Sequence, residues 1–407
     1  MTERSFPKAQ VTHKALLSIR AGHPWIYDTE ITGISGPYEN GSFIEVTGER
    51  GQFLGTGLIS DHSKIRIRLI SHNANDCMDA AFFERRLRHA WEYRKTVMPD
   101  ALDCCRLIFG EADLFPGLTV DRFSDILVTQ TLSLGMERLK PLLFPTLCRI
   151  LREDGQQIKG IYERNDVAIR ELEGLLQNKG FFPLEGETPP ACTKTVITEN
   201  NIRYQVDFEN GQKTGFFLDQ KRNRQAVGRL CRGKRVLDCF THTGSFALNA
   251  AAAGAESVHA VDISEEAIRL AQENARLNGV EENIRFEATN VFDLLPTLKR
   301  GAYDFIILDP PAFTKSRRTI DRAIRGYKQI NLRAMQLLSG GGYLATCSCS
   351  HFMSDILFRS MLREAAADAG VCLRQIEARQ QSPDHPILWN VPETDYLKFY
   401  IFQITRN

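Results

Sequence analysis

Predicted strands in the second half of the chain end in side chains that could do chemistry. The segment RVLDCF ends near Asp238, SVHAVDI ends near Asp262, and YDFIILD ends at Asp309. A further predicted strand, GYLATCSC, contains Cys347 and Cys349. In a parallel sheet the carboxyl ends of the strands meet at one edge, which is where such sheets bind ligands. We therefore expect these carboxylates and thiols to share one site.

The turn after the first of these strands suits a nucleoside cofactor that lacks a pyrophosphate. A dinucleotide site would need GxGxxG in this turn, and only Gly244 is present. Asp262 stands 18 residues after Gly244, where a carboxylate can accept hydrogen bonds from ribose hydroxyls, although it could instead only cap a helix. These features indicate S-adenosyl-L-methionine rather than NAD. Asp238 would face the methionine amino group, and Asn290, after the third strand, would reach the adenine amine.

The fourth strand ends in the segment Asp309-Pro310-Pro311-Ala312-Phe313, which is suited to holding a flat base. Proline fixes φ and removes an N–H, so two prolines in a row make the backbone after Asp309 rigid. The segment can present the Asp309 carboxylate and backbone carbonyls to a base, with Phe313 available for stacking. The tripeptide DPP also occurs by chance in loops, but its position at a strand end favours the functional interpretation.

The elements that must position these residues fall into three predicted domains. Residues 1–73 contain short alternating strands of a small β domain, and residues 74–190 form an α+β stretch. A segment rich in Pro, Gly and Thr at 184–194 supports a boundary there. In the remainder, 191–407, apolar strands alternate with helices, which predicts a parallel sheet covered on both faces.

Composition excludes several classes of protein. The chain has 407 residues, of which 43% are hydrophobic, so a wholly disordered protein is excluded. No apolar run approaches the roughly 20 residues that span a bilayer, and the start lacks the apolar core of a signal peptide. Ten cysteines without a CxxC pair argue against a disulfide scaffold and a zinc site. We expect a cytoplasmic protein that binds neither membrane nor metal.

Several segments resemble class I S-adenosylmethionine-dependent methyltransferases, and most of all the RlmI-type rRNA (cytosine-5) methyltransferase family. The similar segments are VLDCFTHTGSFALNA, AVDIS, DFIILDPPAF, RGYKQIN and CSCS, together with GFFLDQKRNR and DHPILWNVPETDYLKFY. GHPWIYDTEI resembles the PUA RNA-binding domain of that family. The resemblance implies an α/β fold with a Rossmann-like class I sheet, mostly parallel with an antiparallel last strand. A small β PUA-like domain and an α+β middle domain would precede it.

The resemblance extends to the cofactor site. The resemblance implies a site for S-adenosyl-L-methionine at the strand ends, with Gln220 of the LDQKRNR segment positioning the cofactor. The implied cofactor-binding residues are Asp238, Phe240, Thr243, Gly244, Asp262, Asn290, Asp309 and Gln220.

The resemblance also implies covalent catalysis by a cysteine. Carbon 5 of cytosine is a weak nucleophile until a thiolate adds to carbon 6. Cys347 and Cys349 lie two residues apart, so strand periodicity alone cannot choose between them. Alignment of CSCS with the family motif assigns Cys349 as the nucleophile, and Asp309 would hold the cytosine edge. The residue that removes the carbon-5 proton stays open, and the alternative is that both cysteines are small core residues.

Runs of basic residues indicate an RNA surface although the net charge is only +1. Residues 213–235 carry eight basic side chains and one acid, and residues 313–328 carry six and one. Both runs flank the predicted site, and cations clustered near a base pocket are typical of RNA binding. A predicted helix at 80–98 adds Arg85, Arg86, Arg88, Arg94 and Lys95 opposite its apolar side. The predicted RNA-contacting residues are Pro310, Phe313, Lys315, Arg317, Arg318 and Arg224.

These observations predict S-adenosylmethionine-dependent methylation of carbon 5 of a cytosine in ribosomal RNA, with the 23S molecule as the expected partner. One alternative is a guanine-N7 or other base methyltransferase of the same fold, which needs no nucleophile because N7 carries a lone pair. The other is a non-catalytic RNA-binding assembly factor. The sequence leaves open which nucleotide is modified, whether naked rRNA or a subunit is the substrate, and the oligomeric state, for which a homodimer is one option.

Overall fold

The protein is represented by a computed structural model that describes residues 6–314 and 316–406, without the side chain of Arg317. The chain divides into two compact units. The first contains Met1–Ile197, Val206–Leu218 and Pro383–Thr394, and the second contains Thr198–Gln205, Asp219–Ser382 and Asp395–Asn407.

A six-stranded sheet forms the beginning of the first unit, as the short alternating strands predicted. Its strands are β1 (Lys8–Val11), β2 (Trp25–Tyr27), β3 (Ile31–Ser35), β4 (Phe43–Thr47), β5 (Phe53–Ile59) and β6 (Ile65–Ser71), in the order β2-β6-β5-β4-β1-β3. Helix α1 (His13–Arg20) begins after Thr12, whose hydroxyl accepts from the N–H of Ala15. Alternate residues such as Ile44 and Val46 are fully buried, because side chains one apart on a strand face opposite sides.

A second sheet with two long helices completes the first unit. Its elements are α2 (Ala80–Val97), β7 (Cys104–Phe109), β8 (Leu118–Phe123), β9 (Ile126–Thr131), α3 (Leu134–Glu153), β10 (Gly160–Asn165) and β11 (Asn178–Phe181). The strand order is β11-β10-β9-β8-β7. Phe83, Leu87 and Trp91 lie on one face of α2 and pack into the same core as Phe144 and Leu147 of α3.

The prediction that Arg94 lies with the other basic residues opposite the apolar side of α2 is wrong. Arg94 is fully buried, since it follows Leu87 and Trp91 on the apolar face, and its Nη2 donates to Asp113 Oδ2 at 2.7 Å. On the exposed side, Arg88 pairs with Glu84 and Glu153. Lys95 pairs with Glu92 and Asp154. Charge counting cannot show these pairings, because three of the five partners, Asp113, Glu153 and Asp154, lie outside α2.

The hairpin predicted near residue 200 consists of β12 (Lys194–Glu199) and β13 (Ile202–Asp207), which form a two-stranded sheet. Asn200 and Asn201 connect the strands with φ of +53° and +64°. Two consecutive residues with positive φ are the signature of the turn that matches strand twist, and Asn tolerates this conformation better than most residues. Helix α4 (Lys221–Gly228) follows.

The second unit contains the predicted α/β sheet. Its strands are β14 (Arg235–Cys239), β15 (Ser257–Asp262), β16 (Ile284–Ala288), β17 (Phe305–Leu308), β18 (Tyr343–Ser348), β19 (Cys372–Arg379) and β20 (Lys398–Thr405). The intervening helices are α5 (Ser245–Ala252), α6 (Glu265–Asn278), α7 (Val291–Leu294), α8 (Ile320–Leu337) and α9 (Asp355–Ala369). The order is β16-β15-β14-β17-β18-β20-β19, and β20 runs antiparallel to both of its neighbours. The mostly parallel sheet with an antiparallel last strand is therefore confirmed.

Local sequence explains why this sheet forms. All four residues of β17 are buried, as expected for a strand covered on both faces. Helix α6 begins after Ser264, whose hydroxyl accepts from the N–H of Ala267 at 3.2 Å, and ends at Gly279 with φ of +66°. A side-chain cap at the start and a left-handed glycine at the end are the usual signals of helix boundaries. They fix the lengths of the connections that bring the strand ends together.

Candidate active site

The predicted site lies where the strand order reverses. Strand β14 lies between β15 and β17, and the chain leaves β14 towards β15 and returns to β17 on its other side. Open α/β sheets bind ligands in the crevice at such a point, beyond the carboxyl ends of the strands. Cys239 pairs with Leu308, so the ends of β14 and β17 lie side by side. Asp238, Asp262 and Asp309 therefore reach the same edge of the sheet, as the sequence predicted.

The turn after β14 has an unusual backbone. Phe240, His242 and Gly244 have φ of +65°, +51° and +81°. Positive φ is rare outside glycine and costs on the order of 1–3 kcal/mol per residue, and it concentrates at functional sites. Glycine is required at 244 for a second reason, because a Cβ there would lie 2.7 Å from Leu248 Cδ1 and 3.0 Å from Ala271 Cβ. The turn is thus held tightly against α5 and α6.

Asp238 has the properties expected of a binding site for a cation. Its Oδ2 accepts from the Thr241 hydroxyl at 2.6 Å and from the N–H of Ala247 at 2.9 Å, and the side chain is fully buried. Its Oδ1 is buried and has no hydrogen-bond partner among the described residues. Burial, helped by the charge of Asp309, raises the Asp238 pKa to about 7 against the opposing hydrogen bonds. An amino group at Oδ1 would supply both the missing hydrogen bond and the missing positive charge.

Asp262 presents its carboxylate at the end of β15. Its Oδ2 accepts from the N–H of His242 and its Oδ1 from the N–H of Ser264, both at 2.9 Å. Each carboxylate oxygen has a second lone pair, so ribose hydroxyls can still be bound. Ile263, the next residue, is 72% exposed although it is large and apolar. Sequence analysis missed Ile263, and an apolar residue directly after a strand-end carboxylate is the signal that could have found it.

Two further predicted cofactor residues lie in the same region. Thr243 is buried, and its hydroxyl has no hydrogen-bond partner among the described residues. Asn290 begins α7, and its Oδ1 accepts from the N–H of Phe292 at 3.0 Å. The predicted contact with the adenine amine needs an acceptor, and the Asn290 oxygen already caps the helix. The Nδ2 donor of Asn290 therefore suits a ring nitrogen of adenine better than the amine. The unsatisfied atoms of Asp238 and Thr243 make these residues fit an amino-acid-bearing nucleoside.

Asp309 is held by two side chains from other elements. Gln220 Nε2 donates to its Oδ1 at 3.1 Å, and the Cys347 thiol donates to the same oxygen at 2.9 Å. Gln220 is oriented in turn by Asn223, whose Nδ2 donates to Gln220 Oε1 at 2.7 Å. Burial raises the Asp309 pKa to about 6 against these two hydrogen bonds. Gln220, which the sequence predicted to contact the cofactor, therefore forms a direct hydrogen bond with Asp309.

The structure separates the two candidate nucleophiles, which periodicity could not do. Cys347 lies inside β18, is fully buried, and directs its sulfur at Asp309. Burial raises its thiol pKa well above the ordinary value, and the charge of Asp309 adds to this. Cys349 lies beyond Ser348, the last residue of β18, and is half-buried. The alternation of a strand therefore does not extend to Cys349, and of these two cysteines only Cys349 is partly exposed.

Phe313, predicted to stack on a base, packs against aromatic side chains. Its ring centroid lies 4.6 Å from that of Tyr327 and 5.9 Å from that of Phe292. Tyr327 is buried and shares hydrogen bonds with the hydroxyls of Ser348 and Ser350 on either side of Cys349. Pro310 is also buried. These contacts link the segment after Asp309 to the segment that carries Cys349.

The two predicted basic runs differ in the structure. In 213–235, Lys221 and Arg224 are 1% exposed, and the Arg224 Nε donates to Glu199 Oε1 at 2.6 Å. Arg235 begins β14 and pairs with Asp304, at the opposite edge of the sheet from the site. Arg224 is therefore a buried structural cation, and its predicted contact with RNA does not fit this position.

The run 313–328 retains accessible cations. Arg318, Arg322 and Arg325 are exposed, and none of them makes an ion pair with a described residue. Lys328 pairs with Glu364 and Asp368. Predicted contacts of Lys315 and of the Arg317 side chain lie outside what the structure describes.

In 6–314 and 316–406 no group of three or more His, Cys, Asp or Glu side chains is arranged to hold a metal ion. Among the same residues, no helix is both long and apolar enough to span a membrane.

Comparison with known proteins identifies two families in the chain. Residues 184–402 match the family described as S-adenosylmethionine-dependent methyltransferase, and residues 9–72 match a PUA-like domain. A Klebsiella pneumoniae (strain 342) protein named Ribosomal RNA large subunit methyltransferase I is 38% identical over 408 residues, which cover 99% of this chain and 100% of that protein. The Escherichia coli (strain K12) protein of the same name is 39% identical over 391 residues, covering 95% and 96%.

Solved structures agree on the fold. A candidate SAM-dependent methyltransferase from Streptococcus mutans superposes with a TM-score of 0.79 at 21% identity, covering 97% of this chain and 99% of that one. A candidate methyltransferase solved with SAH gives 0.80 at 21% identity over the same shares. The chain therefore belongs to the S-adenosylmethionine-dependent methyltransferases, in the ribosomal RNA large subunit methyltransferase I family.

Proposed function

We propose that the protein methylates carbon 5 of a cytosine in large-subunit (23S) ribosomal RNA through a covalent adduct with Cys349. Membership of the family carries the coarser statement, S-adenosylmethionine-dependent methylation of rRNA. The observation that carries the finer one is the position of Cys349, half-buried beyond the end of β18. Cytosine carbon 5 needs such a thiol, whereas guanine N7 needs none.

The cofactor would lie along the ends of β14 and β15 and supply an electrophilic methyl group. Asp238 Oδ1 would accept from its amino group and Asp262 from its ribose hydroxyls. The side chains of Thr243 and Asn290 and the tight turn at Gly244 would complete the pocket. The exposed side chain of Ile263 suits contact with the adenine ring, because burying its apolar surface is favourable.

The protein's own groups would act on the base in a fixed order. The Cys349 thiolate adds to carbon 6, which makes carbon 5 nucleophilic, and carbon 5 then takes the methyl group. The carbon-5 proton leaves, and its bonding electrons form the carbon 5–carbon 6 double bond as the carbon 6–sulfur bond breaks. Asp309 would hold the cytosine edge. Since its pKa is raised to about 6, its carboxyl group can carry a proton for N3 or accept from the N4 amine.

RNA would approach over the exposed cations at the start of α8. Arg318, Arg322 and Arg325 make no ion pairs with described residues and can therefore contact phosphate without breaking an existing pair. Lys315 and Arg317 remain part of this proposal from sequence alone. The homodimer considered above has no support in these observations and is not part of the proposal.

Trapping of the adduct tests the covalent mechanism. With RNA that contains 5-fluorocytosine, carbon 5 cannot lose its substituent as a proton, so the enzyme should stay attached and migrate as a shifted band on a denaturing gel. Cys349→Ala should abolish both the band and methyl transfer while S-adenosylmethionine binding persists. Cys347→Ala is the matched control and should keep the band, because the buried Cys347 thiol donates to Asp309 and is not the proposed nucleophile.

Three outcomes would overturn the assignment. A band that persists in Cys349→Ala and disappears in Cys347→Ala would make Cys347 the nucleophile. No band in any variant, with N7-methylguanine as the product, would replace the cytosine mechanism by the guanine alternative. Absence of any methylated product from rRNA or ribosomal subunits would favour a non-catalytic assembly factor.

A further inference from the structure

Lys398 is a buried cation next to the proposed nucleophile. It begins β20, pairs in register with Ser348 of β18, and is 6% exposed. Its Nζ donates to the backbone carbonyls of Ser350 and Tyr396, both at 2.9 Å. Ser350 directly follows Cys349, so the ammonium is attached to the segment that carries the proposed nucleophile.

The charge of Lys398 is not neutralised by a close carboxylate. Among the described residues, the two polar atoms bonded to its Nζ are carbonyl oxygens, and no acid lies within ion-pair distance. The titratable groups that face it are Asp395 on the preceding segment, Asp355 at the start of α9, and the thiols of Cys347 and Cys349. Asp355 is itself engaged, since its Oδ1 accepts from the Tyr400 hydroxyl. Burial lowers the Lys398 pKa to about 8, with these groups opposing the shift.

A purely structural role explains this arrangement poorly. A neutral donor such as Gln could link two carbonyls without the large cost of burying a charge. A buried ammonium bonded to the residue that follows a half-buried cysteine is, in contrast, placed to lower the pKa of that thiol. Perturbed titratable groups of this kind concentrate at functional sites.

We propose that Lys398 is a positioning residue whose ammonium stabilises the Cys349 thiolate and fixes the segment on which that thiolate stands. This proposal rests on the proposed function, in which Cys349 is the nucleophile. In the step concerned the Cys349 S–H bond breaks, the proton passes to water, and Lys398 stays protonated throughout. Lys398 should stabilise the thiolate below its own pKa of about 8. This stabilisation should be lost as the pH rises through that value, because a neutral amine no longer attracts a thiolate.

The test measures the pKa of the Cys349 thiol without RNA. The full-length protein is alkylated with iodoacetamide at a series of pH values, and mass spectrometry follows the peptide that contains Cys349. The exposed Cys77 serves as an internal reference thiol. In the wild type, Cys349 should titrate below about 8.5, the ordinary value for a thiol. In Lys398→Met the pKa should rise by about one unit, which lowers the alkylation rate at neutral pH by up to about tenfold. Lys398→Arg should restore most of the rate.

The outcomes separate this proposal from the proposed function. A wild-type Cys349 that titrates at or above about 8.5, or an unchanged profile in Lys398→Met, would overturn the role of Lys398. S-adenosylmethionine binding reports whether Lys398→Met is folded. If that variant is not folded, the titration of Cys349 in the wild type can still overturn the proposed role of Lys398. If Lys398→Met shifts the profile but Cys349→Ala still methylates cytosine, the coupling of the two groups stands and the covalent mechanism fails.

Discussion

Replacing Asp238 by Asn tests how the protein binds its cofactor. The change keeps the size of the side chain and removes the negative charge from the buried Oδ1 that has no partner among the described residues. A charge-assisted hydrogen bond contributes about 1.5–3 kcal/mol, so the Kd for S-adenosylmethionine should rise roughly 10- to 150-fold. Isothermal titration calorimetry measures this directly. Methylthioadenosine carries the ribose and adenine but no amino acid, so its affinity should be nearly unchanged.

The same carboxyl group makes binding dependent on pH. Since the Asp238 pKa is raised to about 7 in the ligand-free protein, a cationic amino group must bind to a site that is half protonated near neutrality. Between pH 8 and pH 6 the affinity of the wild type should fall by roughly tenfold, and Asp238→Asn should remove this dependence. Asp304→Asn is the matched control, because Asp304 pairs with Arg235 at the other edge of the sheet. Equal affinity of wild type and Asp238→Asn at every pH would refute the reasoning.

The substitution Asp238→Asn should weaken cofactor binding but stabilise the ligand-free protein. Folding raises the Asp238 pKa from 3.8 to about 7, so the folded protein binds more protons than the unfolded chain between these values. Its contribution to stability is therefore present below the lower value and is lost as the pH rises through the higher one. At pH 8, Asp238→Asn should raise the free energy of unfolding of the ligand-free protein by about 1–4 kcal/mol, measured by urea denaturation. A loss of stability would show that the carboxylate is not strained by burial.

The remaining predictions concern the ribose contact and the RNA surface. Asp262→Ala should weaken both S-adenosylmethionine and methylthioadenosine by about 1.5–3 kcal/mol in calorimetry, because both carry the ribose, and a loss confined to one of them would exclude the ribose contact. Arg318→Ala with Arg322→Ala should lower the slope of log affinity for rRNA against log salt by up to about 0.9 per lost phosphate contact, with Lys328→Ala as the paired-lysine control. An unchanged slope would place the RNA elsewhere.

The α/β sheet could be predicted because its signals are local. The four buried residues of β17 form an apolar run in the sequence, and Ser264 and Gly279 mark the ends of α6 by their types alone. The strand ends follow from these boundaries, and Asp238, Asp262 and Asp309 follow from the strand ends. Their roles toward cofactor and base stay predictions, although their shared edge is visible in the fold.

The partners of charged side chains could not be predicted, because they depend on distant parts of the chain. Arg224 pairs with Glu199 inside the domain, and Arg94 pairs with Asp113 in a core. Arg224 and Arg94 each belong to a run of basic residues, and the charge of such a run alone predicts a surface of accessible cations. Among the described residues of the two runs near the site, exposed cations without ion pairs include Arg318, Arg322 and Arg325, and also Arg229 and Arg232. The sequence does not distinguish these from the buried or paired cations.

The features that break local rules lie at one edge of the sheet. Phe240 and His242 adopt positive φ although their types do not favour it, and Asp238 is buried with an unsatisfied oxygen. Lys398 is buried without a close acid among the described residues. Each feature is expected to lower the stability of the ligand-free protein. Such costs persist where a ligand or a reaction needs them. In this protein the amino group of the cofactor would pair with the buried Asp238 carboxylate, and the Cys349 thiolate would stabilise the buried Lys398 ammonium. The same edge would therefore become more stable as it becomes ready for reaction.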